Sequence, residues 1–189
     1  MRKTLLLPLV FLFFNAVAKA QFYKPVLPSP AFSENLARIT QSFRDNYYQI
    51  QAGQLPSQED MDVYQSSVLL PGAQHCVIYR FHSIKDSSAS WQGLMYSGDN
   101  YKDALKTYKN TCRQVDRCRV NLYNNVPANF TGKIEEPDTN LRFVSSVYKL
   151  NTKDEAYKEF YAEVELVNIN FDEWEVRLNL QNKKDDMEK

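Results

Sequence analysis

Residues 160–180 read "FYAEVELVNINFDEWEVRLNL", and their alternation decides the fold class. Ala162, Val164 and Leu166 occupy every second position, as do Trp174, Val176, Leu178 and Leu180. Successive side chains of a strand point to opposite faces, so each set lines one side of a sheet. The residues between them, Glu163, Glu165, Glu175, Arg177 and Asn179, followed by Gln181, form an opposite face turned to water for most of its length. Every apolar position carries an even number, and residues directly opposite in an antiparallel ladder share a face. Paired numbers must therefore sum to an even value, which excludes a two-residue turn unless a bulge intervenes. The pattern predicts a three- or five-residue loop around residues 170–173. Val167 and Ile169 fall on the polar face and need a cover, from a proline-rich arm or a long loop elsewhere in the chain.

Working outward, "LRFVSSVYKL" (141–150), "SWQGLMYS" (90–97), "HCVIYRFHS" (75–83) and "SSVLL" (66–70) also read as strands. In "CRVNLY" (118–123), Cys118, Val120 and Leu122 point one way and Arg119, Asn121 and Tyr123 the other. Two segments carry helical spacing instead. Leu36, Ile39, Phe43, Tyr47 and Ile50 recur on one face behind a Ser33 N-cap, with Gly53 as the stop and "QLPSQED" as loop. Tyr101, Leu105, Tyr108 and Cys112 form the stripe of a second helix capped by Asp99 or Asn100. Residues 124–140 are rich in Asn, Pro, Gly and acidic side chains and read as a long exposed loop, which contains the glycosylation sequon Asn129-Phe130-Thr131. Thr152 and Glu155 have capping-box spacing, enough for a single helical turn. The expected architecture is α+β: a single domain with a mostly antiparallel sheet of about five to seven strands and two main helices packed on one face.

Met1-Arg2-Lys3, the apolar run from Leu5 to Phe14 and the small-residue site Ala18-Lys19-Ala20 reproduce the parts of a secretory signal peptide, with cleavage after Ala20. The apolar run is about ten residues, where a membrane span needs roughly 20, so no span is expected after cleavage. The chain then divides into a signal peptide (1–20), an extended arm (21–32) with Pro25, Pro28 and Pro30, the domain (33–182) and a disordered polar tail (183–189). Removing Arg2, Lys3 and Lys19 from the 23 basic residues leaves 20 against 23 acidic ones, a net charge of −3. That balance is no nucleic-acid footprint. The expected location is periplasmic or secreted.

Export gives the cysteines their meaning, because disulfides form and persist outside the cytosol. Cys112 at a helix end and Cys118 at a strand start are expected to bridge, while Cys76 reads as a small buried apolar residue. The spacing fits neither a zinc knuckle nor a C-x-x-C redox pair. His75 and His82 would point to opposite faces of one strand, Ser97 lacks the glycine two residues before it that a nucleophile elbow needs, and Asp99, Asn100 and Asp103 lack the calcium-loop pattern. Glu163 and Glu165 share a face, as alternate polar positions on a solvated strand commonly do. No metal or cofactor is indicated, and no motif identifies a family. The expected role is an exported binding or accessory module for an unidentified protein or small-molecule ligand, with Trp91, Tyr96 and Tyr101 as the candidate surface. A small secreted hydrolase using carboxylates brought together by the fold is the alternative.

Overall fold

The computed structural model describes residues 27–58, 60–81, 88–138, 141–170 and 172–182. The expected signal segment, most of the arm, His82 and the polar tail lie outside them. Among the described residues, helix α1 (Pro30–Ser42) is followed by strands β1 (Gln51–Gln58), β2 (Met61–Ser66), β3 (His75–Phe81) and β4 (Ala89–Gly98). Helix α2 (Tyr101–Arg117) leads to β5 (Arg119–Asn121), β6 (Pro127–Gly132), β7 (Phe143–Asn151), β8 (Phe160–Asn170) and β9 (Glu173–Asn182). The fold is α+β, with one antiparallel sheet of nine strands in the order β1-β2-β3-β4-β9-β8-β7-β6-β5. Two meanders run inward from opposite edges and meet where β9 pairs with β4. Helix α2 carries the chain from the centre to the far edge, packing on β4 and β6 to β9 as it goes.

The register of β8 and β9 follows the even-sum rule: Ala162 pairs with Leu180, Val164 with Leu178 and Leu166 with Val176. The pairing then shifts by one between Asn168 and Asn170, so Asn170 faces Glu173 and two residues suffice to turn the chain. A bulge is the device that reconciles an even register with so short a connection. The apolar face of these strands and the buried residues of both helices form one core, which includes Phe32, Leu36, Trp91, Tyr108, Val164 and Leu178. Gly93 makes room there for Trp91: a Cβ at Gly93 would sit 2.9 Å from the indole ring.

The sheet has more strands than the hydrophobic pattern announced, and the additions are its weakest sequences. β1, "QAGQLPSQ", takes in both the expected helix stop at Gly53 and most of the "QLPSQED" segment that reads as loop. It is an edge strand, where Pro56 and two register shifts are tolerated and also discourage further pairing. β6, "PANFTG", lies inside the expected 124–140 loop; only Ala128 and Phe130 face the core, too few for a visible period. The sequon residues sit on this strand, and Asn129 donates from Nδ2 to Thr131 Oγ1 at 3.1 Å. The strand expected at 66–70 is displaced to β2, and only Ser66 belongs to both.

Helix α1 is also shifted. It starts at Pro30, three residues inside the expected arm, with Ser29 rather than Ser33 as the cap; the Ser29 hydroxyl accepts from the Phe32 amide at 3.1 Å. Proline in the first helical turn loses no bond there. The helix stops at Ser42, and the stripe continues through two 3-10 turns that flank Asn46 and Tyr47, both left-handed at φ 49° and 61°. Tyr47 is fully buried and its hydroxyl donates to the Leu180 carbonyl at 2.8 Å, so burial compensates the backbone conformation. Arg80 secures the same corner, donating to the Asn46 carbonyl at 2.9 Å and stacking over Tyr48 at 3.7 Å. Asn100 caps α2, accepting from the Lys102 and Asp103 amides, as expected. The single turn at Glu155–Tyr157 is present too, capped by Asp154 instead of Thr152.

The Cys112–Cys118 bridge is not formed: all three cysteines are free and buried. The physical reason is the length of α2, which runs on past Cys112 to Arg117. Six helical residues rise about 9 Å, whereas a disulfide joins Cα atoms roughly 4.4–6.8 Å apart. The thiols accordingly have different neighbours, Cys112 lying against Tyr108, Ser146 and Tyr148 and Cys118 against Ser33. Burial raises both, and pushes Cys76 up to about 11, so at neutral pH they are protonated and unreactive.

Candidate functional site

Trp91 is 0% exposed on the helix-covered face, where its indole nitrogen donates to Ser66 Oγ at 3.1 Å. It cannot contribute to an accessible surface. Tyr96 and Tyr101 are half-buried in the same layer. Tyr96 donates to the Asn100 carbonyl at 3.2 Å, and Tyr101 packs on Trp174 with ring centroids 4.8 Å apart. These aromatics anchor the start of α2 to the sheet.

The opposite face, which neither helix covers, is organised differently. Its central strands carry planar polar side chains, at odd positions of β3, β8 and β9 and at Gln92 of β4, and most of these are half-buried. Tyr79 on β3 donates to Gln92 Oε1 on β4 at 3.2 Å, and Gln92 donates from Nε2 to Asn179 Oδ1 on β9 at 2.8 Å. Asn179 is only 8% exposed and bonds onward to Glu165 on β8. Donors thus point one way across four strands and end on a carboxylate. The register explains the row: Gln92 is directly opposite Asn179, while Tyr79 and Glu165 stand diagonally across from their partners. Burial raises the Glu165 carboxyl, the Asn179 bond opposes that shift, Glu163 adds to it and Arg177 counters it.

A second polar group lies beside the first. Gln181 donates from Nε2 to the Tyr161 hydroxyl at 2.8 Å and to Glu163 at 3.3 Å. Arg177 is paired with Glu175 at 2.5 Å.

Three clefts follow one another on this face. One of about 490 Å³ is lined by Val147, Lys149, Lys158, Glu159, Tyr161 and Glu163. The next, about 290 Å³, lies among Phe81, Ser90, Tyr161 and Gln181. The third, about 440 Å³, is bounded by Met61, Tyr79, Phe81, Gln92, Leu94 and Arg177. Tyr161 borders the first two and Phe81 the last two, so the three clefts adjoin one another and together make up the groove of this face. Its sequence signal was the run of amides and tyrosines on alternate strand positions. Alternation alone assigns such residues to a solvated face; the cross-strand register is what assembles them.

Among the described residues, no three His, Cys, Asp or Glu side chains are placed to hold a metal ion, and no helix is long and apolar enough to cross a membrane. No protein-family model, curated protein or solved structure matches the chain.

Proposed function

We propose that this is an exported binding module whose ligand lies in the groove on the open face of the sheet. The observation that carries the reading is the adjacency of three clefts over a polar network built from four strands, with β7 and β2 supplying lining residues only. Such a surface is preorganised: its side chains are held by cross-strand bonds before any ligand arrives, so little ordering cost remains to be met on binding. The leader at residues 1–20 supports export.

Thermal-shift screening against neutral oligosaccharides, extended peptides and fatty acids tests the groove. A stabilising probe should lose its effect in Tyr79→Ala and Tyr161→Ala; an unchanged shift in both would place binding elsewhere. Export is tested separately by intact mass, which should begin at Gln21. Retention of residues 1–20 in the secreted protein would contradict it.

The hydrolase alternative retains one supporting observation, the raised Glu165 carboxyl beside Glu163. Structural polar networks raise carboxyls in the same way, and the Asn179 bond engages Glu165 within the network. Release of reducing ends from the oligosaccharide probes, abolished in Glu165→Gln, would favour catalysis over binding alone.

A further inference from the structure

We infer that the groove takes a neutral oligosaccharide laid across the strands, an assignment that rests on the binding reading above. Charge is the first argument. Among the described residues, the ionised side chains lining the groove are Lys149, Lys158 and Arg177 against Glu159, Glu163 and Glu175, three of each sign, and Arg177 is already paired with Glu175. A polyanion would find no net field here.

Hydrogen-bonding capacity is the second. The strands from β3 to β7 are paired on both sides, so the groove floor has no free ladder on which an extended peptide could add a strand. An alkyl chain would bury amides and carboxylates without giving them partners. A sugar hydroxyl, by contrast, both donates and accepts, and the groove presents both capacities through Gln92, Gln181, Glu163 and the hydroxyls of Tyr79 and Tyr161.

Shape is the third. Tyr161 and Phe81 stand at the two junctions between clefts, where aromatic surface can meet the C–H faces of successive rings while hydroxyls reach the polar groups. From β7 to β3 the groove crosses four strand spacings, about 19 Å. That is the reach of a chain of rings and too long for a single one.

Calorimetric titration with neutral oligosaccharides from di- to hexasaccharide, an extended uncharged peptide and a fatty acid tests the assignment. Affinity is expected to rise with sugar length and to fall about tenfold in Tyr161→Ala and in Tyr79→Ala. Tyr161→Phe, which keeps the ring and loses the hydroxyl, should lose less, and unchanged melting of each variant excludes a folding defect. Binding of only the peptide or the fatty acid, weakened by the same substitutions, would overturn the sugar assignment and leave the groove reading intact. Binding of none of the probes, or binding indifferent to the substitutions, would overturn both.

Discussion

The two faces of the sheet are written by the same strands, one residue out of step, and they serve opposite ends. The covered face holds Trp91, Tyr148 and Phe160, each under 2% exposed like Tyr108 on the covering helix α2, together with the aliphatic residues of β8 and β9. Ser146 ties part of its polar inventory together, accepting from the Glu135 amide at 2.8 Å and lying 2.6 Å from the Tyr108 hydroxyl. The open face spends its side chains on a polar row and a groove. Apolar residues remain there too: Phe143 is 50% and Ile169 41% exposed, while Val167 is half-buried. The contrast teaches that alternation divides labour: even positions of β8 and β9 stabilise, odd positions are available for recognition.

The largest effect that would sharpen this contrast is expected from Trp91→Ala. Loss of a fully buried indole and its bond to Ser66 should cost about 3–5 kcal/mol, read as a lower urea midpoint at an unchanged slope. Gln92→Ala on the facing side of the same strand should cost under about 1 kcal/mol. Equal losses would break the division.

Gly132→Ala comes next. A Cβ there would lie 2.2 Å from the Val147 carbonyl and 2.7 Å from the Tyr148 ring, so β6 must shift, at a cost of about 1–3 kcal/mol. A neutral outcome in denaturant would show that β6 is not held against β7 as described.

The smallest effect belongs to Glu165. A carboxyl raised in the folded state binds its proton more tightly there than in the unfolded chain, where it titrates at about 4.3. Stability contributed by the protonated form is complete below that value and is lost as pH rises from there through the raised folded value. Glu165→Gln should flatten this part of the stability–pH curve and leave the neutral-pH protein slightly more stable. A steeper loss of stability with rising pH in the variant would reverse the assignment.

The legible parts of the fold were those in which side chains repeat. β3, β4, β7, β8, β9 and α2 could be read because apolar residues recur at the period of the element; the parity of β8 and β9 limited their register to even sums, while the bulge that replaces the expected three- or five-residue loop left no mark in it. β1 and β6 could not, because an edge strand or a two-contact strand is held by its neighbour's backbone more than by its own side chains. The end of α1 was hidden for another reason: Tyr47 and Ile50 remain buried although the helix has broken, so the stripe outlives the helix that it implied. The cysteine reading failed on helix length, since five further residues after Cys112 carry Cys118 out of reach. Trp91, Tyr96 and Tyr101 stand out by residue type alone, whereas the groove depends on partners such as Gln92 and Asn179, 87 residues apart in the chain. No spacing rule within one segment could have found that pair.

The most direct test of the division between faces is a side-chain amide NMR titration with a neutral hexasaccharide. The account predicts that the Gln92, Asn179 and Gln181 resonances move together while those of Asn35, Gln41 and Asn100, on or beside the helices, stay fixed. Movement centred on Asn100 with the three open-face amides stationary would contradict it and return the site to the helix-covered side.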